Sequence, residues 1–327
     1  MSKKSLGGKA VLITGGSGFI GAALARAVLK RNAGGKLILT DIAESPRLEG
    51  LASEVPFVQA DLGDFEVCRD LLSPDVGRVF HLASLVSGGA ERDFEAGMRA
   101  NLHATINLLE ACRLRGSEPR FVFVSSIATF GGAGLPEKVD DWTFQHPQNS
   151  YGVAKVIGEQ LVNDYTRKGY VDGRGVRFAA IAVRDAPNTA LSGYVSNLVR
   201  EPLDGKDYTC PVGEDTRIPI MGIHKAVRCL LELSEINGAE LGDYRTLNGR
   251  GISPAAGEIA EAVRRLAPAD RPLGRTTFAS DPAIQSVIDS WPRFMEAPRA
   301  SALGLPGDAS IHELVGEYLE GSRMAEG

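Results

Sequence analysis

No pair of cysteines in this chain has the spacing of a metal clip. Cys68, Cys112, Cys210 and Cys229 are scattered, with no CxxC among them. This argues against a zinc site and against a disulfide framework, and free thiols in a reducing cytoplasm are the simplest reading. Histidine is scarce as well: His81, His103, His146, His224 and His312 fall at no HxxxH-like interval, so no metal is expected. No apolar run approaches the roughly 18 residues of a membrane-spanning helix. The start "MSKKSLGGK" leads into an apolar strand without the h-region of a signal peptide. Positive charge is not in excess either, and a formal net charge of −5 offers no general attraction to nucleic acid or anionic membrane. What remains is ordinary globular composition, 43% hydrophobic and 24% charged, in a chain of 327 residues that suffices for one large domain or a large and a small one.

The first half alternates short β-type runs with helical ones. "KAVLIT" (9–14), "KLILT" (36–40), "PFVQA" (56–60), "RVFHLA" (78–83), "RFVFVSS" (120–126) and "GVRFAAIAVR" (175–184) read as six strands. Helical patterns occupy 19–31, roughly 93–115, and 151–168. Near-continuous apolar strands separated by helices predict a doubly wound, Rossmann-type α/β fold with a parallel sheet covered on both faces. After about residue 185 the rhythm loosens, with helices expected near 222–235, 254–266, 282–291 and 309–320, the second of them started by Ser253 and Pro254. The expected division is 1–184 as the dinucleotide-binding domain and 185–327 as a smaller C-terminal α/β substrate lobe, interleaved to some degree with the first.

"ITGGSGFIG" (13–21) stands between the first strand and the first helix, with Gly15, Gly18 and Gly21 in a GxxGxxG spacing. Gly15 permits a tight turn, Gly18 lets the backbone approach a pyrophosphate, and Gly21 allows close helix–strand packing. Phe19 and Ile20 open the helix whose N-terminus would face the phosphates. An ordinary glycine-rich turn would look alike, so the neighbouring strand ends decide the reading. Asp41 closes the second strand 20 residues past Gly21, where an acid accepts hydrogen bonds from an adenosine ribose. Its carboxylate would repel a 2′-phosphate, and no arginine stands immediately beside it, which favours NAD over NADP. Asp61 and Leu62 in "ADL" would flank the adenine, and Ala83 in "HLAS" (81–84) would border the cofactor ribose.

A free tyrosine ionises near pH ~10 and is a poor base at neutrality. An ammonium nearby stabilises the phenolate. Tyr151 and Lys155 lie four apart on a helix and so share a face. Surface helices often carry such pairs, but Ser126 closes the fifth strand, where open α/β sheets place ligands. Its hydroxyl could hold a substrate oxygen while the phenolate takes the proton and hydride passes to the nicotinamide.

The segments "TGGSGFIG", "DL" (61–62), "HLAS", "VSSIATFGG" (124–132) and "SYGVAK" (150–155) together resemble the extended short-chain dehydrogenases/reductases, the NAD-dependent epimerase/dehydratase superfamily. The resemblance implies a catalytic Ser126, Tyr151 and Lys155. It also implies that Asn101, in "RANLHAT" (99–105), helps order the site, and that the long helices could build a homodimer interface. Dehydratases of this group carry an acid pair after the catalytic hydroxyl. Here Ile127 and Ala128 follow Ser126, which disfavours dehydration.

Further segments, "NLVREPLDG" (197–205), "CPVGEDTR" (210–217) and "DPAIQSVIDSWP" (281–292) among them, resemble the D-erythronate dehydrogenase branch of that superfamily. This implies NAD-dependent oxidation of a four-carbon sugar acid, with threonate or uronate dehydrogenation and nucleotide-sugar 4-epimerisation as alternatives within the fold. A non-catalytic NAD-binding regulator is disfavoured because the tyrosine and lysine are both present. The branch tends to have "RPGKPN" where this chain has the shorter "RDAPN" (184–188). A sugar acid needs a cation or several donors, and Arg217, Ser87 and Asn188 are the candidates beside Ser126. Arg184 is expected to make a structural pair, and Trp291 and Phe294 to be packing residues.

Overall fold

Residues 9–31, 35–51, 55–186 and 190–326 are described by the structure, a computed structural model. The chain forms two compact, interleaved units: residues 1–129, 149–177 and 227–247 make the first, and 130–148, 178–226 and 248–327 the second.

The first unit is built on a seven-stranded sheet. Its strands are β1 (Ala10–Thr14), β2 (Leu37–Asp41), β3 (Phe57–Gln59), β4 (Val76–His81), β5 (Arg120–Ser126), β7 (Asp172–Phe178) and β11 (Thr246–Asn248), in the order β11-β7-β5-β4-β1-β2-β3. The registered pairs from β3 across to β5 are parallel. The strands are short, and β1 is apolar and buried along its whole length, as a strand covered on both faces must be. The helices are α1 (Phe19–Arg31), α2 (Phe65–Leu71), α3 (Ser87–Arg92), α4 (Phe94–Met98), α5 (Ala104–Arg115), α6 (Ser150–Arg167) and α9 (Gly238–Leu241). Their apolar faces meet the sheet in a core that includes Leu12, Val79, Phe121, Phe123, Leu108, Leu109, Cys68, Cys112 and Val162. Chain order reverses between β1 and β4, and that switch point is where open α/β sheets present a crevice at their carboxyl ends.

Of two sequence expectations here, one needs refinement and one correction. The run at 93–115 is helical as expected, but a π-helical turn, Arg99–His103, stands between α4 and α5, and the side chain of Asn101 within it bonds the Leu85 backbone. The run at 175–184 is not one strand. β7 ends at Phe178, and Ala180–Ala182 forms β8, which pairs with β10 (Ile220–Gly222) in a different sheet.

The second unit packs its own core around Tyr194, Leu198, Val199, Cys210, Ile220, Ile259, Val263, Leu314 and Val315, with Trp291 laid against it. Besides β8 and β10 it contains two more parallel pairs, β9 (Tyr208–Cys210) with β12 (Thr276–Phe278) and β6 (Lys138–Val139) with β13 (Phe294–Met295). Its helices are α7 (Gly193–Leu203), α10 (Ala256–Leu266), α11 (Pro282–Asp289), α12 (Pro298–Ala302) and α13 (Ile311–Glu326), while α8 (Ile223–Leu233) carries the chain back to the first unit. Ser253 and Pro254 do not start α10: Ala255 is its N-cap, and the Glu258 carboxylate accepts the Ala255 N–H at 2.8 Å. All four cysteines are buried free thiols. Among the described residues no helix is long and apolar enough to cross a membrane.

Candidate active site

The glycine turn leaves β1 and enters α1 with almost no spare volume. Gly15 has φ +70, and a Cβ there would stand 2.6 Å from the Ala83 nitrogen, so the end of β4 closes directly over the turn. A Cβ on Gly21 would meet the Gly15 carbonyl oxygen at 2.0 Å. The closeness that Gly21 permits is thus to the turn itself. At Gly18 the only neighbour in that direction is the same carbonyl, at 3.1 Å. The outer side of the turn is therefore open beside the first turn of α1, the end of a helix whose backbone N–H groups point outward. That arrangement fits a pyrophosphate.

Asp41 ends β2 with its carboxylate folded back on the turn: Oδ2 accepts the Ser17 N–H at 3.0 Å and Oδ1 the Ile42 N–H at 2.8 Å. Burial raises its pKa against the opposing pull of those two N–H groups. The acid is thereby fixed at the place expected for an adenosine ribose. Asp61 accepts the Gly63 N–H at 2.8 Å and pairs with Arg99 Nε at 2.7 Å. Burial pushes its carboxyl up, but the Arg99 hydrogen bond, the Gly63 N–H and the Arg99 charge together bring it below the usual range. Leu62 is buried, and its carbonyl accepts the Asn107 amide at 3.0 Å.

Below Ala83 runs a hydrogen-bonded chain whose direction can be assigned. Thr105 donates its hydroxyl to the Asn101 carbonyl at 2.9 Å, so it accepts from His81 Nε2 at 3.0 Å. His81 therefore carries its proton on Nε2, and Nδ1 accepts the Thr14 hydroxyl at 2.8 Å. Thr14 in turn accepts the Ala83 N–H at 3.3 Å. Burial, with the Lys155 charge added to it, pushes His81 down to about 3, so the ring stays neutral. Asn101 uses its side chain elsewhere, accepting from the Ser84 hydroxyl at 2.9 Å and the Leu85 N–H at 2.8 Å and donating to the Leu85 carbonyl at 3.0 Å. It orders the segment leading to Ser87, the half-buried first residue of α3.

Tyr151 lies in the first turn of α6, which Asn149 caps by accepting the Gly152 N–H at 2.7 Å. One turn on, Lys155 is buried, with Nζ 2.9 Å from the Val124 carbonyl, 5.0 Å from the centre of the Phe123 ring and 5.5 Å from that of Tyr151. Burial pulls its pKa down to about 8, opposed by the charge of Glu159. Ser126 closes β5, with Oγ accepting the Ala128 N–H at 3.1 Å. One residue earlier, Ser125 points to the opposite face and donates to Glu159. Glu159 also accepts Arg177 through both carboxylate oxygens, at 2.8–3.1 Å, and the Tyr244 hydroxyl at 3.2 Å. The sequence reading passed over this cluster. Its available signal was the continuation of the four-residue spacing from 151 and 155 to 159.

The substrate candidates are not brought together in the same way. Arg217 belongs to the second unit, where Nη1 and Nη2 each lie 3.0 Å from an oxygen of Glu258 and Nη1 also donates to the Ser253 carbonyl at 2.9 Å. An incoming carboxylate would have to compete with that fork. Asn188 lies outside the described residues. At Arg184 the backbone is fixed by α7, its N–H reaching the Ser196 hydroxyl at 3.0 Å and its carbonyl accepting from Arg200 at 2.8 Å.

Residues 11–231 match the NAD dependent epimerase/dehydratase family. The chain belongs to that family and is an NAD-dependent oxidoreductase. It is 42% identical to the D-erythronate dehydrogenase of Cupriavidus necator, over 97% of this chain and 99% of that protein. It is 34% identical to the D-erythronate dehydrogenase of Haemophilus influenzae, over 95% and 98%. Among solved structures, the nucleoside-diphosphate-sugar epimerase of Agrobacterium tumefaciens superimposes with a TM-score of 0.88 at 35% identity, covering 96% of this chain and 94% of the other.

Proposed function

We propose that this chain oxidises D-erythronate to 2-oxo-D-erythronate with NAD as the acceptor and Tyr151 as the general base. The observation that carries the chemistry is the withdrawal of Lys155 from water directly beside the Tyr151 ring. The full-length likeness to D-erythronate dehydrogenases supports the substrate.

Gly15, Gly18, Phe19, Ile20 and Gly21 would hold the pyrophosphate, Asp41 the adenosine ribose, Asp61 and Leu62 the adenine, and Ala83, Tyr151 and Lys155 the nicotinamide end. When bound, the nicotinamide supplies the acceptor for the hydride that C2 of the substrate gives up, so that the alcohol becomes a ketone and one proton is released. Ser126 holds the reacting oxygen. Tyr151, as phenolate, takes the proton from the same hydroxyl, and the Lys155 ammonium stabilises that phenolate. Asn101 keeps the 84–85 segment in place, and Ser87, Asn188 and Arg217 orient the acid. The enzyme is taken to be cytoplasmic and a homodimer, the dimer alone being supported by the exposed apolar side chains Phe94 on α4 and Val153 and Ile157 on α6. Light scattering of the purified protein checks this.

The likeness to a nucleoside-diphosphate-sugar epimerase favours a second reading, 4-epimerisation of a nucleotide sugar. One experiment separates the two. NADH formation is followed with D-erythronate, both threonates, D-glycerate, uronates, L-threonine and UDP-sugars, for the wild type and Tyr151→Phe. Turnover of D-erythronate is expected, with kcat in the variant lower by about 10²–10⁴-fold and NAD binding retained. Undiminished turnover in the variant removes Tyr151 as the base. Tightly held NAD with interconversion of UDP-sugars and no net NADH makes the epimerase the better account.

A further inference from the structure

We propose that Glu159 is a positioning residue for this reaction, a buried anion that keeps Lys155 in its ammonium form and ties the helix bearing Tyr151 and Lys155 to the strand end bearing Ser126. The role in catalysis rests on the dehydrogenase reading above; the effect on Lys155 does not.

Tyr151, Lys155 and Glu159 follow one another at four-residue steps on one face of α6. Glu159 is 0% exposed and Arg177 1%. A guanidinium does not give up its proton, so a dry interior containing Arg177 calls for an ionised partner, and the two-oxygen grip on Glu159 supplies it. Ser125 and Tyr244 add hydroxyl donors to the same carboxylate. An apolar pair of similar volume would serve packing equally well or better. The charge itself therefore calls for a use.

That use lies one turn away. Around Lys155 stand Tyr151 and Glu159 on its own helix, the Phe123 ring and Val124 carbonyl on β5 and His81 on β4, while Arg177 on β7 and Tyr244 in the returning segment 227–247 are held on Glu159. His81 is neutral, and Arg177 is directed at Glu159. Among these groups Glu159 is the standing negative charge, and it opposes the loss of the Lys155 proton that burial favours. The same carboxylate holds Ser125 while the strand's alternation turns Ser126 to the other face. Gly158 permits the arrangement, since a Cβ there would strike Phe123 Cζ at 2.5 Å.

The test is Glu159→Gln, which keeps shape and polarity and removes the charge. Lys155 is titrated in the holoprotein by NMR of 13C-labelled lysine, with Lys155→Met to assign its signal, and kcat/KM is measured against pH. A unit charge about 6 Å away at an effective dielectric of about 20 predicts that the Lys155 midpoint falls by about one to two pH units. The alkaline limb of kcat/KM should fall with it. Glu159→Asp should return the midpoint toward the wild type, and Ser125→Ala, which removes a hydrogen bond but no charge, should leave it in place. If Glu159→Gln does not fold, Glu159→Gln with Arg177→Met removes the anion together with its partner cation; because Glu159 is the charge that acts on Lys155, the midpoint should still fall, but by less than in the single variant. An unmoved Lys155 midpoint in a folded charge-removal variant overturns the proposal. Should no sugar acid be turned over, the lysine titration still decides it, and the dehydrogenase reading fails separately.

Discussion

With its ammonium against the Val124 carbonyl and almost none of its side chain in contact with water, Lys155 has a pKa near 8 in the folded chain against 10.5 in an unstructured one. A lowered value means that the folded state binds fewer protons than the unfolded state between those two pH values, so this group's contribution to stability rises across that window. Below pH 8 the full cost of the buried charge remains, about 3 kcal/mol by linkage. Lys155→Met removes that cost and leaves the Val124 carbonyl without its donor, a loss that does not depend on pH. Urea unfolding of the apo proteins at pH 7 and pH 10 should therefore favour the variant more at pH 7, by about 2–3 kcal/mol relative to pH 10. An equal difference at both values would show that Lys155 is not desolvated as described. At this scale the sequence was informative where residue type alone sets the chemistry: Gly15, Asp41, Tyr151 and Lys155 stand at strand ends or helix starts that the apolar pattern marks. It was uninformative for Arg217, because nothing in "DTRIP" announces a bidentate partner 41 residues on.

Among elements, α6 carries the most constraint. Its contact with β5 is closest at Gly158, where the Phe123 ring occupies the space a Cβ would need. Phe123 is fully buried and supports Lys155, so it has little room to turn. Gly158→Ala should cost about 1–3 kcal/mol through overpacking and lower kcat more than the KM for NAD. Adding Phe123→Leu should return part of the stability. Thermal unfolding and steady-state kinetics of the three variants check this, and an unperturbed Gly158→Ala would contradict the packing. The helices and strands of the first half were largely legible, with α1 and β5 found at the residues where their apolar runs begin and end. Two features were hidden for a physical reason. At the π turn, 99–103, the Asn101 side chain bonds the Leu85 backbone, a partner 16 residues away that no local pattern announces. The strand at 175–184 divides because its second part pairs with β10, and an apolar run reads alike whichever partner buries it.

For the molecule as a whole, the sulfur atoms become informative. Three of the four thiols, Cys68, Cys112 and Cys229, belong to the first unit and Cys210 to the second. Burial is the leading cause that raises them, Cys210 to about 11 and the others to about 12, so hardly any thiolate exists at neutral pH. An alkylating reagent then reacts only when the surrounding structure opens, and each sulfur becomes a timer for its own neighbourhood. Mass-resolved labelling in mild urea should show whether Cys210 is modified in step with the other three or ahead of them. NAD, if it binds only the folded first unit, should slow Cys68, Cys112 and Cys229 in proportion to its occupancy. A chain with no disulfide to its name thus carries four reporters of which half of it lets go first.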